Sequence, residues 1–173
     1  RRRPAGLLHP RINEARVDKT GAYDVNMLAQ SIVNDVAFVS VMQVNNETGA
    51  INDIPAIYKA VKQRAPMAIM HVDGVQGFLK VPFDARYCDM YSISGHKFHA
   101  PKGVGALYVK RGTRFAGGQI GGGQERNLRS GTTNTPGIMG MDAAIGYYAE
   151  NIDNIRQRLM NMKLRGFQRF RRL

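Results

Sequence analysis

An apolar, β-branched run at residues 36–41 (VAFVSV), a helical run ending at Pro66 and a second apolar run at 68–72 (AIMHV) follow one another with short polar links. That strand–helix–strand order is the feature that most constrains the fold. A helix of this length carries the chain back to the start of the sheet, so the second strand pairs parallel to the first. The first run has no polar alternation, which predicts a strand buried on both faces. Asn52 or Asp53 is expected to cap the helix, with Pro55 in its first turn. Two further strands are expected at Met90–Ser94 and Gly105–Val109, and a short helix at about Val25–Val33. The segment 117–123 holds five glycines in seven residues and is expected to be a loop.

From Thr135-Pro136 onward, apolar residues recur at 138, 141, 145, 148, 152, 155, 159 and 162. Steps of three and four put them on one stripe of a long helix. The stripe is longer than a small sheet needs, and an apolar surface left over favours association, so a homodimer or larger species is expected. The fold class that follows is α/β, with a mainly parallel sheet flanked by helices. The divisions are a basic segment at 1–20, an α/β core at 21–150 and a basic helix or tail at 151–173.

Charge matters only once it is split. The net +12 suggests nucleic acid, but residues 1–20 carry six Lys/Arg against two Asp/Glu and residues 151–173 carry seven against one. The 130 residues between carry twelve against ten. A nucleic-acid reader places its basic stripe on the folded face. Here Arg1, Arg2, Arg3, Arg169, Arg171 and Arg172 read as solvated ends, so no nucleic-acid partner is expected. Neither a membrane-length apolar run nor a secretory signal is visible, so no membrane partner is expected and the chain is expected to be cytoplasmic. The single cysteine, Cys88, excludes a disulfide framework and a multi-cysteine metal site. The four histidines are scattered, and no metal is expected.

Ligands of an open α/β sheet bind beyond the carboxyl ends of its strands. Three strands end there in Asn45-Asn46-Glu47, in His71-Val72-Asp73 with Gln76 one turn on, and in Ser94-Gly95-His96-Lys97. A lysine losing hydration beside an apolar strand is an amine suited to Schiff-base chemistry, though alone Lys97 reads first as a surface residue whose stem snorkels. Asp73, costly to bury unpaired, suits a protonated pyridine nitrogen or a simple ion pair. Ser94 and His96, with backbone N–H groups at Gly95, are phosphate donors or turn chemistry. Asn46 and Gln76 are placed to bond ring substituents or to be structural amides. Amine, carboxylate and phosphate donors together are the set that pyridoxal 5'-phosphate requires. No GxGxxG opens a helix and no GxxxxGK[ST] is present, so nucleotide loops are weak competitors.

VNNETG (44–49), HVDGVQ (71–76), SISGHKFHAPKGVGALYV (92–109) and GGGQERNLRSGT (121–132) together resemble the cysteine desulfurases of the class V aminotransferase family, which are fold-type I pyridoxal-phosphate enzymes. The similarity runs from about residue 8 to about residue 150. The resemblance implies that Lys97 carries the cofactor and that Asp73 faces its pyridine nitrogen. Gln76 would bond the phenolic oxygen, and Asn46 would lie beside the ring. Ser94 and His96 would hold the phosphate, and Thr132 would reach the phosphate of the other subunit of a homodimer. The implied reaction removes sulfur from L-cysteine, giving alanine and an enzyme persulfide that supplies an iron–sulfur scaffold protein. A selenocysteine lyase, a transaminase or a non-catalytic binding module are the alternatives.

The family also has an earlier segment with a Ser/Thr-rich phosphate turn and a ring-stacking histidine, and a later domain with the nucleophilic cysteine and a carboxylate-binding arginine. No such motifs occur in these residues, so the chain resembles the central part of a large domain. Cys88 does not stand in for that cysteine. It precedes Lys97 by nine residues, at the opposite end of a strand, roughly 20–30 Å away at strand rise, and Asp89 beside it disfavours a thiolate. The tail MNMKLRGFQRFRRL matches nothing in the family pattern.

Overall fold

The computed structural model describes residues 11–170; Arg1, Arg2, Arg3, Arg171 and Arg172 of the two basic ends lie outside them. The order is α1 (Val25–Ser31), β1 (Phe38–Met42), α2 (Ile54–Arg64), β2 (Ile69–Asp73), β3 (Met90–Ser94), β4 (Gly105–Val109), a four-residue turn α3 (Gln124–Asn127) and α4 (Thr135–Phe170). Asp24 caps α1 by accepting from the N–H groups of Asn26 and Met27. Asp53, not Asn52, caps α2, accepting from Ala56 N–H at 3.0 Å. Asn52 is buried and ties two segments instead: its amide donates to the Met42 carbonyl at 2.8 Å, and its oxygen accepts from Tyr23 N–H at 2.8 Å.

The sheet order is β1-β2-β3-β4. β1, β2 and β3 are parallel, in register Ser40↔His71, Met42↔Asp73 and Asp73↔Ser92. β4 is antiparallel to β3, Ser94 facing Gly105. Only a short 3₁₀ turn (Gly95–Phe98) and a loop separate these two strands, too little chain for a parallel crossover. The sheet is therefore mainly parallel, as expected.

Helices α1 and α2 cover one face only. Val41, Met70, Val72 and Tyr91 pack there with Leu28, Ile54, Ile57 and Val61. The other face is open: Phe38 is 54% exposed and Ser40 is exposed. The expectation that the first strand is buried on both faces is thus corrected. β1 is an edge strand with one covered side, and its apolar run does not discriminate that from full burial. The core also holds a polar pair. Asp89 accepts from Lys62 Nζ at 2.6 Å and from Met70 N–H at 2.8 Å, while the same ammonium reaches the Ala68 carbonyl at 2.6 Å.

The long helix forms, and its stripe is used in its middle. Met141, Ile145, Tyr148, Ile152 and Ile155 pack on Phe98, Ala100, Phe78 and Leu79. Ile138, Leu159 and Met162 at the ends of the stripe stay exposed. No helix among the described residues is long and apolar enough to cross a membrane.

Removing Lys62 leaves the Asp89 carboxylate buried with a single backbone donor. Lys62→Ala is expected to cost about 2–4 kcal/mol, toward the lower part of the range for breaking buried pairs because the lysine retains some solvent contact. Denaturant unfolding checks this, and Asp89→Asn in the Lys62→Ala background should recover part of the loss.

Candidate cofactor site at the strand ends

Parallel pairing brings the ends of β1, β2 and β3 to one edge. After β1 the chain makes a tight turn closed by the Val44–Ile51 bridge. Asn45 holds this turn, its side-chain oxygen accepting from the N–H groups of Glu47 and Thr48, both at 2.9 Å. Asn46 is exposed, and its amide makes only a 3.5 Å contact with Glu47. Of the two adjacent asparagines, one is spent on structure and the other is presented.

After β2, Asp73 is half-buried. One carboxylate oxygen accepts from Val75 N–H at 2.9 Å. Gly74 is needed at the next position. A Cβ there would lie 1.9 Å from the Tyr91 ring, while Gly74 N–H donates to the Ser92 carbonyl at 3.0 Å. Gln76 follows in the turn, half-buried, with no hydrogen bond from its side chain. Further on, Leu79 has φ 63°, in the left-handed region where a β-carbon is strained.

After β3, Ser94 Oγ and His96 Nδ1 are hydrogen-bonded at 2.9 Å, and His96 is exposed. Gly95 N–H donates to the Val104 carbonyl at 2.9 Å. The backbone donor expected at Gly95 is therefore already taken, and the donors this turn offers are the Ser94 and His96 side chains. Phe98, 1% exposed, anchors the turn and meets Phe78 edge-on at 5.2 Å. That contact links the Lys97 turn to the Gln76 turn. Lys97 is half-buried. Burial pushes the Lys80 ammonium down from its usual range, and the charge of nearby Lys97 pushes it further.

Among the described residues the ion pairs are Lys62–Asp89, Arg86–Asp84 and Arg156–Asp153. Neither Lys97 nor Asp73 belongs to one. An amine and a half-buried carboxylate without charged partners, on adjacent strand ends, suit a ligand that offers an electrophilic carbonyl and a cationic ring nitrogen. Thr132 is not brought to this edge by any hydrogen bond. It lies exposed in the loop before α4, its carbonyl accepting from Arg129 at 3.4 Å. Among the described residues no group of three or more His, Cys, Asp or Glu is arranged to hold a metal ion.

Two features were not read from the sequence. A row of side chains crosses the open face: Ser40 Oγ to His71 Nδ1 at 2.9 Å, and His71 Nε2 to Ser92 Oγ at 3.1 Å. Burial lowers the His71 pKa, with Asp73 opposing the shift. On the covered face, Tyr91 O–H donates to buried Gln43 at 2.7 Å, and the Gln43 amide reaches the Pro82 carbonyl at 3.2 Å. Strand alternation puts His71 and Asp73 on the same face, but the partners depend on register between strands.

Cys88 is fully buried just before β3, at the end away from Lys97. Burial first, and then the charge of Asp89, push its thiol up to about 11. A folded-state value raised above the ordinary 9.0 stabilises the fold fully below pH 9, and the stabilisation is lost as pH rises toward about 11. Native chain is expected to resist iodoacetamide at pH 8 and to react once unfolded. Its melting temperature should fall between pH 9 and 11 more than that of Cys88→Ala. Rapid labelling of native chain overturns this.

The Aminotransferase class-V family model matches residues 5–172. A cysteine desulfurase of Nostoc sp. is 49% identical over 130 residues, covering 74% of this chain and 32% of the relative. The cysteine desulfurase NifS of Azotobacter vinelandii is 44% identical over 135 residues, covering 77% and 33%. A solved NifS-like protein superposes with a TM-score of 0.84 at 35% identity, covering 91% of this chain and 44% of that one. The chain thus spans about a third of the length of the curated relatives it matches.

Proposed function

The chain belongs to the class V aminotransferase family, and we propose that it is the cofactor-binding part of a pyridoxal-phosphate cysteine desulfurase. The observation that carries the proposal is the pairing of an unpartnered Lys97 with an unpartnered Asp73 on adjacent ends of parallel strands. When bound, pyridoxal phosphate supplies an aldehyde for an amine and a ring that withdraws electrons from the substrate's α-carbon.

Each residue's part is the one that the family resemblance implies. Lys97 provides the amine, fixed by the buried Phe98 beside it. Asp73 would hold a proton on the ring nitrogen with the carboxylate oxygen that Val75 leaves free. Ser94 and His96 would hold the phosphate; their mutual hydrogen bond uses one of their donors and leaves the other for the ligand. Gln76, whose amide makes no hydrogen bond among the described residues, would bond the phenolic oxygen, and Asn46 would lie beside the ring. Thr132 serves the phosphate of a second subunit. The exposed ends of the α4 stripe, at Ile138, Leu159 and Met162, support a homodimer. The substrate is L-cysteine, and an iron–sulfur scaffold protein is the acceptor of its sulfur. Cys88, buried with a raised thiol pKa, is not the sulfur acceptor.

Incubation with pyridoxal phosphate, borohydride reduction and peptide mapping test this reading. The label is expected on Lys97, and Lys97→Ala should abolish it. A label on Lys80, Lys102 or Lys110 instead, or none, refutes the assignment.

A further inference from the structure

We propose that His71 is a positioning residue: its Nε2 accepts the hydrogen bond of the Ser92 hydroxyl and so keeps that hydroxyl off the Asp73 carboxylate opposite it. The inference rests on the proposed role of Asp73 toward the cofactor. Ser92 is the register partner of Asp73 on the same sheet face, and neighbouring strands lie about 4.8 Å apart. A serine there is well placed to donate to the carboxylate. Instead, the one side-chain hydrogen bond of Ser92 runs diagonally to His71 Nε2 at 3.1 Å, and none joins it to Asp73.

Proton accounting across the row assigns the roles. A neutral imidazole donates from one ring nitrogen and accepts at the other. Ser40, at Nδ1, is exposed, so its own proton can go to water. Ser92, at Nε2, is partly buried and has His71 as its side-chain partner. With the proton on Nδ1, Nδ1–H donates to Ser40, Ser92 O–H donates to Nε2, and every proton has an acceptor. With the proton on Nε2, the Ser92 hydrogen would be turned loose beside Asp73. Phe38 stacks on the imidazole at 6.2 Å and adds no charge. Burial favours the neutral ring over the imidazolium, and the charge of Asp73 opposes it. The free oxygen of Asp73 is thereby left to the ligand.

Nitrogen-detected NMR of the wild-type chain reads the tautomer without any substitution. Protonation at Nδ1 is expected, and a proton at Nε2 overturns the inference. Cofactor titration supplies the second arm. His71→Leu frees the Ser92 hydroxyl to bond Asp73, and the Kd for pyridoxal phosphate should rise about tenfold, the scale of one charge-assisted hydrogen bond. Ser92→Ala should bind nearly as wild type. The double variant H71L/S92A should return toward the Ser92→Ala value, because the competing hydroxyl is gone. A histidine that merely clamped the strands predicts the reverse, a double variant no tighter than His71→Leu, and that result sinks the proposal. Melting temperatures identify any variant that has lost its fold. Failure of wild-type chain to bind pyridoxal phosphate would overturn the proposed function, while the tautomer would still decide the hydrogen-bond assignment.

Discussion

Strands paired in parallel must end on the same edge of their sheet, and β1, β2 and β3 are paired that way from Phe38 to Ser94. The candidate site depends on that one constraint. Asn46, Asp73 and Lys97 are separated by dozens of residues in sequence, yet each follows a strand terminus by zero to four residues. No long loop is needed to gather them. The antiparallel β4 serves the same end. By pairing Gly105 with Ser94 and taking the Gly95 N–H through Val104, it fixes the turn on which Lys97 sits. Phe98 then fastens that turn to Phe78, so the turns carrying Gln76 and Lys97 are joined by an aromatic contact.

How much of this the sequence discloses depends on whether the information is local. The strands at 90–94 and 105–109 were legible to the residue, because short apolar runs bounded by polar or Gly-Pro punctuation are local signals. The identity of the α2 cap was not. Asn52 and Asp53 are both good caps, and the choice falls to Asp53 because Asn52 is drawn into a tertiary bond with Tyr23, twenty-nine residues away. Likewise, no pattern within residues 36–41 says that one side of the edge strand stays uncovered. The residues at the strand ends stand out as candidates because their types are unusual after apolar runs. The Ser40–His71–Ser92 row was not, since it exists only once register across three strands is set. The Gly95 N–H was misread for the same reason, its acceptor being on another segment.

The helix α4 shows where periodicity stops being informative. At 1.5 Å per residue its 36 residues extend about 54 Å, well beyond the cluster around Phe98 and Tyr148. The stripe marks which side of the helix turns to an apolar neighbour, but not how much neighbour exists. Beyond Arg156, whose Nε donates to the Lys80 carbonyl at 3.4 Å, every residue through Phe170 except Gly166 is exposed. A lone helix of that length is marginal in water, so its stability is borrowed from the packed half.

The open sheet face has a property that its exposure conceals. Parallel sheets are ordinarily covered on both sides, and covering a face that carries two serines and a histidine would orphan their polar atoms if they relied on water. Here the imidazole is bonded at both ring nitrogens and each hydroxyl has a protein partner. Among the described residues no buried side-chain nitrogen or oxygen lacks a partner. A layer laid over Phe38, His71 and Ser92 would thus gain apolar contact at Phe38 and leave the imidazole and Ser92 satisfied, but it would have to supply an acceptor for the Ser40 hydroxyl proton that now goes to water. Burial would also strengthen the row, since hydrogen bonds gain in a low-dielectric setting. The same polar row that spares Asp73 from competition is therefore suited to a covered sheet wherever the covering layer offers Ser40 an acceptor.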